Sequence, residues 1–410
     1  MRGDDALPAR LMEATRPLEE VADSIGAGIT LGPNRAPREN PAGYLRVANV
    51  QRGWIDSSDV AQLEAYSRDR DRYALAVQDI LMVEGHASPD QIGRCAMVSS
   101  REGGLLYQNH LFRIRFSKVA PEFGLIWLNS RYMQSYWRNR CATSSGLYTI
   151  NSAMLRQVPV PLLPEAEQHR IVAAHAAFER RIVRLEWMLS KLGVAEQALS
   201  AEALALKPHW ERVTVESIAE VAAGVTLGAE LVGEGTLELP YLRVANVLDG
   251  RIDTQDVKSV RILGTQLERF ALRKGDLLLT EGGDLDKLGR GAVWDGRIEP
   301  CLHQNHVFRV RCGSRMDPGF LALYTGSAEG RAYFQRVGKQ TTNLASINST
   351  QVKAMVVPVP PIEEQRRNLE PIRAVRSRCR ALERQISKLR TIQQAVVEDL
   401  LAGRVRASAA

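Results

Sequence analysis

The heptapeptide Tyr-Leu-Arg-Val-Ala-Asn-Val stands at residues 44–50 and again, unchanged, at residues 241–247, an offset of 197 residues. Chance does not supply such a repeat in 410 residues, and other pairs keep nearly the same register. Gln78-Asp79-Ile80-Leu81-Met82-Val83-Glu84-Gly85 is echoed by Gly275-Asp276-Leu277-Leu278-Leu279-Thr280-Glu281-Gly282. Gln108-Asn109-His110 returns as Gln304-Asn305-His306, Ile150-Asn151-Ser152 as Ile347-Asn348-Ser349, and Pro159-Val160-Pro161 as Pro358-Val359-Pro360. The chain is therefore two versions of one folding unit. Its 45% hydrophobic content is enough for two cores of ordinary domain size.

Each unit opens with an amphipathic stretch, residues 18–25 and 215–221, that predicts a short helix leading through a turn into a strand. The turns are the glycine-rich runs 26–32 and 222–228. The repeated heptapeptides have the β-branched and aromatic content of strands and run into hairpin turns at Gly53-Trp54 and Gly250-Arg251. Residues 79–83 and 276–280 read as buried strands ending at Glu84-Gly85 and Glu281-Gly282. Strands resume at 92–98 and 288–294. Residues 111–116 and 307–311 alternate apolar with basic side chains, the pattern of a half-buried strand with one basic face. Each unit is thus expected to be an α+β domain of roughly 150 residues, rich in antiparallel strands.

Proline-rich punctuation closes each unit and a long helix follows. Proline just ahead of the helix, with acids in its first turn (Glu165 and Glu167; Glu363 and Glu364), marks the start. Ile171, His175, Phe178, Ile182, Leu185, Leu189 and Leu192 alternate spacings of four and three, as do Ile372, Val375, Cys379, Leu382, Ile386, Leu389, Gln393, Val396 and Leu400. Such sustained heptads predict that the two helices pair as an antiparallel coiled coil. About 40 residues at 1.5 Å rise make a rod of roughly 60 Å. Pro371 predicts a kink near the start of the second seam, Gly193 interrupts the first, and Gly403 is the expected end of the return helix. The boundaries expected on this basis are 1–160 and 207–358 for the two domains, and 161–206 and 359–410 for the helices with the C-terminal tail.

The formal charge of +7 favours a polyanionic partner, since clustered cations release counterions from phosphates. A GC-rich genome would also produce 45 Arg against nine Lys, so composition alone does not decide. No apolar run reaches the length of a membrane span, and residues 1–5 carry early acids instead of a signal sequence. The five cysteines (Cys95, Cys141, Cys301, Cys312 and Cys379) are scattered and form no C-x-x-C pair, so a reducing cytoplasm is expected.

Catalytic constellations are not found. There is no phosphate-cradling G-x-x-x-x-G-K-[ST] sequence and no dinucleotide fingerprint. Asn40-Pro41-Ala42-Gly43-Tyr44 is only loosely like an amino-methyltransferase motif and has no counterpart in the second unit. Glu281, Asp284, Asp286 and Lys287 have the makings of a metal-nuclease loop, but the first unit's Glu84, Ser88 and Asp90 lack the lysine. Cys301, His303 and His306 have metal-like spacing, yet Tyr107 replaces the first histidine in the other copy, which favours a structural role. No cofactor is expected.

Gln and Asn can pair bidentately with adenine. Groups identical in both units cannot distinguish two different half-sites, however. The Gln-Asn-His triplets, Arg46 and Arg243, Asn49 and Asn246, and Asn151 and Asn348 therefore read first as scaffold and second as common phosphate contacts, with a buried amide network expected for the triplets. Readout should come from residues that differ. In the first unit these are Asn34, Arg35 and Arg38; Arg68, Arg70 and Arg72; and Arg138, Arg140, Ser144, Ser145 and Tyr148. In the second they are Lys258 and Arg261, with Gln266 nearby, and Arg336, Lys339, Gln340, Thr341 and Asn343. These stretches read as loops rich in hydrogen-bonding side chains, suited to base edges and phosphates.

In this order and duplicated, the heptapeptides, the Asp-Ile-Leu and Asp-Leu-Leu strands with Glu-Gly, the Gln-Asn-His triplets and the Pro-x-Pro junctions closely resemble the specificity subunit of type I restriction-modification systems, from about Leu18 to Gly403. The resemblance implies two target recognition domains, each reading half of a split site in double-stranded DNA, with the helices as a ruler. It also implies docking of two modification subunits that use S-adenosylmethionine to methylate adenine, and of restriction (motor-nuclease) subunits, with no catalytic step in this chain. A nuclease centered on Glu281 to Lys287, or a protein scaffold with little DNA contact, are the alternatives.

Overall fold

The computed structural model describes residues 8–141, 148–228, 233–283, 287–340 and 345–405. They form two compact units, residues 1–187 with 384–410, and residues 188–383.

The first unit is organised on Ile80–Val83, buried at all four positions. Successive side chains of a strand face opposite ways, so Ile80 and Met82 enter one hydrophobic cluster while Leu81 and Val83 enter another. This strand is central in a four-stranded antiparallel sheet ordered Ala22–Ala27, Leu111–Phe116, Ile80–Val83, Cys95–Met97. A second sheet places Pro41–Leu45 between Ala61–Glu64, antiparallel, and Leu106–Tyr107, parallel. Helices Pro121–Leu128 and Arg131–Arg140 cover the first sheet and bury Phe123, Trp127 and Trp137.

The second unit repeats the plan. Leu277–Thr280 sends Leu277 and Leu279 to one cluster and Leu278 to another, in a sheet ordered Ala219–Ala223, Val307–Cys312, Leu277–Thr280, Gly291–Val293. The companion sheet is Lys258–Leu263, Thr236–Leu242, Leu302–His303, again with one parallel pair, and Pro318–Thr325 and Ala328–Val337 bury Phe320 and Phe334.

Four expectations need correction. The amphipathic stretches 18–25 and 215–221 are helical only over Leu18–Val21 and, as a 3-10 segment, Val215–Ser217, because the chain enters the sheet at Ala22 and Ala219. The heptapeptide is a strand only at its start. After Leu45 and Leu242 the chain turns into short 3-10 segments, Val47–Asn49 and Val244–Asn246. The cause is the asparagine: the Arg46 N–H donates to Asn49 Oδ1 at 2.8 Å and the Arg243 N–H to Asn246 Oδ1 at 2.9 Å, closing a turn that β propensity alone would not favour. The proline-rich punctuation is itself strand. Pro159–Pro161 pairs with Thr15–Pro17, and Val356–Val359 with Glu211–Thr214. Two-stranded edges tolerate proline because one side of each strand needs no N–H donor. Finally, several stretches read as loops are regular elements: Ser67–Tyr73 is a helix, Lys258–Leu263 a strand, and Arg138, Arg140 and Arg336 lie on helices.

Each long helix has 40 residues, Glu165–Leu204 and Ile362–Leu401, the latter continuing through Pro371. Of the seam positions, Ile171, Ile182, Ile372, Leu382, Ile386, Gln393 and Leu400 are buried. Gly403 follows the last helix with φ +69°, the left-handed region glycine adopts without a steric penalty. Among the described residues no helix is long and apolar enough to cross a membrane.

Candidate nucleic-acid interface

The duplicated residues hold each unit together through the same bonds. In the first, the Asn49 side-chain N–H groups donate to the Asp56 and Asp59 carbonyls at 2.8 and 2.9 Å, and Arg46 Nη2 donates to Asp59 Oδ2 at 2.7 Å. In the second, Asn246 donates to the Asp253 and Asp256 carbonyls at 2.9 and 3.0 Å, and Arg243 to Asp256 Oδ2 at 2.7 Å. The aspartate opening each central strand is buried and gripped from two sides. Arg115 donates to Asp79 at 2.7 and 2.8 Å and Arg311 to Asp276 at 2.8 and 2.8 Å, while the Ala76 and Arg273 N–H groups supply a further bond. Asn151 and Asn348 cap short helices.

The glutamine of each Pro-to-helix junction is also structural. Gln168 Oε1 accepts from the Ala120 N–H at 2.8 Å and Gln365 Oε1 from the Asp317 N–H at 2.8 Å, and both side chains donate back to carbonyls five residues upstream. These bonds fix the long helix to the start of a sheet-covering helix.

The Gln-Asn-His triplets depart from the expected buried amide network. Their backbones do the pinning: Gln108 N donates to the Leu45 carbonyl and Asn109 N to the Ile29 carbonyl, as Gln304 N does to Leu242 and Asn305 N to Val225. The Gln and Asn side chains are half-buried and make no hydrogen bond to another described residue. His110 Nδ1 bonds Glu84 Oε2 at 2.7 Å, His306 bonds Glu281 in the same way, and both imidazoles are more than half exposed. His303, by contrast, is fully buried. Its Nδ1 donates to the Phe270 carbonyl at 3.1 Å, and burial, with Arg309 adding repulsion, pushes its pKa down to about 4. The two histidines thus have different partners.

Most of the divergent candidates are exposed. Asn34 is exposed, whereas Arg35 turns back to Asp69 at 2.5 Å and to the Glu64 carbonyl at 3.0 Å, holding the Asp69 carboxyl below the usual carboxylate range. The Arg38 side chain is exposed while its N–H donates to Glu64 Oε2 at 2.7 Å; that bond is the main reason the Glu64 carboxyl also stays low. The loop carrying Asn34 and Arg38 is therefore anchored on two acids. Arg68 and Arg72 lie over the Tyr66 and Tyr73 rings, and Arg70 reaches the Pro41 carbonyl at 3.4 Å. Arg138 pairs with Asp90 at 2.7 Å and Arg140 covers the Tyr136 ring at 4.4 Å. Tyr148 is half-buried on a two-stranded ribbon with Gly85–His86.

In the second unit Lys258 is exposed and Arg261 pairs across its hairpin with Glu238 at 3.0 Å. Arg336 covers the Tyr333 ring at 5.5 Å, and Lys339 and Gln340 are exposed on a ribbon with Ala345–Ser346 and Gly282–Gly283. Ser144, Ser145, Thr341 and Asn343 lie outside the described residues, as do Asp284 and Asp286 of the nuclease-like loop. Surface ion pairs such as Arg138–Asp90 are weak, about 1 kcal/mol or less, so these arginines exchange partners at little cost.

Sequence reasoning missed an open recess of about 1240 Å³ in the second unit, whose lining includes Arg261, Arg269, Arg309, Thr226, Leu227 and Asn305. The signal was present in the alternation of residues 307–311, which places Arg309 and Arg311 on one strand face. The contribution of Arg269 comes only from the helix Leu267–Phe270 that packs beside it.

No family model matches the chain. It is 22% identical over 372 residues to the EcoKI specificity subunit of a type I restriction enzyme from Escherichia coli (strain K12), covering 84% of this chain and 77% of that one. A chain from a structural study of complex assembly and conformational transition in a type I R-M system aligns with TM-score 0.55 and 17% identity, over 95% of this chain and 98% of that one. The type I restriction-modification S subunit from M. genitalium aligns with TM-score 0.53 and 13% identity, over 94% and 95%. The similarity to type I specificity subunits thus runs along most of the chain, in sequence and in fold.

Proposed function

We propose that this chain is the DNA sequence-specificity subunit of a type I restriction-modification complex. It binds a bipartite duplex through two recognition domains and carries no catalytic step. One observation supports this most directly. Residues repeated between the units are mostly consumed in identical internal bonds, while the residues that differ stand exposed as Arg, Lys, Asn and Gln side chains at corresponding places. A protein that reads two unlike half-sites on one scaffold needs that division.

The recognition domains are residues 1–160 and 207–358. The spacer helices of 161–206 and 359–410, the latter range including the C-terminal tail, run antiparallel as a coiled coil, a reading supported inside each unit. In the first, Gln393 donates to Glu179 at 2.7 Å and Arg390 pairs with Glu186 at 2.5 Å. In the second, Arg376 pairs with Glu196 at 2.6 Å. The spacer sets an uncontacted gap between half-sites, and the complex is completed by methyltransferase and restriction subunits in the cytoplasm. Within this reading, Asn34, Arg38, Arg68, Arg70, Arg72, Arg138, Arg140 and Tyr148 serve one half-site. Lys258, Arg261, Arg336, Lys339 and Gln340 serve the other, and Arg35 positions its loop.

The test is genome-wide adenine methylation in cells with and without this gene. A split motif that disappears with the gene is the expected result. Unchanged methylation while the partner subunits are expressed would refute the proposal.

A further inference from the structure

Among the repeated sequences, one beside the Gln-Asn-His triplets is also not fully consumed by the scaffold. Gly28-Ile29-Thr30-Leu31-Gly32 recurs as Gly224-Val225-Thr226-Leu227-Gly228. The first glycine of each is required by packing, since a Cβ would lie 2.1 Å from the Tyr107 carbonyl oxygen in one copy and 1.9 Å from that of His303 in the other. Ile29 and Val225 are buried. The remaining three residues are exposed in both copies, including Leu31 at 38% and Leu227 at 49%.

The last glycine is the informative one. Among the described residues, a Cβ on Gly32 or Gly228 would meet nothing within 4 Å. Gly32 has φ −144°, which any residue adopts, and Gly228 is not in the positive-φ region either. The fold therefore requires glycine at neither position. Glycine in such a place is explained when something outside the chain approaches the backbone closely. The neighbouring side chains agree: Asn109 and Asn305 sit beside these turns through their backbone bonds to Ile29 and Val225, and the Thr and Asn side chains make no hydrogen bond to another described residue. In the second unit the turn lines the same recess as Arg261, Arg269 and Arg309.

We infer that the Thr-Leu-Gly turn of each unit, with Asn109 or Asn305 beside it, is a contact for a phosphodiester of the DNA backbone. The chemistry is that of an anion. In the second unit hydroxyl, amide and backbone groups of the turn line one recess with arginines, and donors identical in both units suit the part of DNA that is identical in both half-sites. The inference rests on the DNA-binding reading above.

Fluorescence anisotropy of the full chain with two unrelated 40-base-pair duplexes tests it, across a NaCl titration. G32A and G228A are each expected to keep the wild-type melting temperature. Each should weaken binding to both duplexes by the same factor, roughly tenfold, the loss of one hydrogen bond to a charged group. G193A, also a change into open space but on the first long helix, should leave binding unaltered. Wild-type binding with no loss in G32A or G228A overturns the inference alone, as does a loss confined to one duplex, which would make the turn a base reader. Unchanged duplex binding with lost assembly onto partner subunits would assign the turn to a protein surface instead. Failure of the wild-type chain to bind either duplex at low salt would overturn the DNA-binding reading as well.

Discussion

Replacing His303 with tyrosine should remove an acid sensitivity carried by the second unit. His303 is fully buried, its Nε2 has no hydrogen-bond partner among the described residues, and the Arg309 guanidinium beside it has only a 4% exposed side chain. Burial first, and Arg309 second, lower its pKa from 6.5 to about 4. The folded unit therefore keeps the imidazole neutral where the unfolded chain would protonate it. Stability is complete above pH 6.5, falls as the pH drops toward 4, and is flat below that with respect to this group. At about 1.4 kcal/mol per tenfold, the loss is roughly 2 kcal/mol at pH 5 and about 3 kcal/mol at pH 4. The first unit shows the replacement that avoids this cost. Tyr107 occupies the matching position and donates its hydroxyl to the Gly26 carbonyl at 3.3 Å. Gly26 corresponds to Ala222, and a Cβ on Gly26 would lie 3.9 Å from that hydroxyl, so the extra methyl leaves room. The assay is urea denaturation at pH 7.5 and pH 5, with hydrogen exchange of Val307–Cys312 reporting on the second unit. The difference between wild type and H303Y should grow by roughly 2 kcal/mol on acidification. Carboxylates elsewhere titrate in both proteins and cancel. Parallel pH dependences in the two proteins would refute the reasoning.

Q365A should cost about 1–3 kcal/mol, because it leaves the part-buried Asp317 N–H and the buried Pro360 carbonyl without their partner; Q168A should cost a similar amount, and thermal melts check both. D276N should destabilise the second unit by about 3 kcal/mol or more, since the Arg311 fork would face a neutral amide in a buried site; chemical denaturation reads this directly. R138Q with R140Q should loosen discrimination at one half-site only, and equal relaxation at both, measured by methylation of mismatched sites, would remove these residues from the recognition surface.

The fold was legible in the sequence where buried groups constrain identity in both copies. Asp79 and Asp276 can be replaced by nothing else that accepts two guanidinium bonds and a backbone N–H, so the aspartate survives in both units and is visible by eye. Among the heptad positions, Ile182 and Ile386 are buried on helices. Local reading failed where tertiary partners override composition. Residues 67–73 are polar on every side and look like a loop, yet Asp69, held by Arg35 and the Tyr66 N–H, starts a helix there. Pro159–Pro161 looks like punctuation because the strand Thr15–Pro17 that pairs with it is remote in sequence.

The candidate site divides along the same physical line. Sequence comparison within the chain separates repeated from divergent residues, and the structure supplies the reason each repeated residue is retained. Asn49, Asp79, Gln168 and their partners have internal reasons, in the hydrogen bonds they make. Gly32 and Gly228 have none: among the described residues no close neighbour and no strained φ demands them. Sequence alone would have filed both glycines with Gly28 and Gly224 as turn formers. Only the packing around each position separates a glycine the fold needs from one it does not, and the second kind points outward, to whatever both units touch in common.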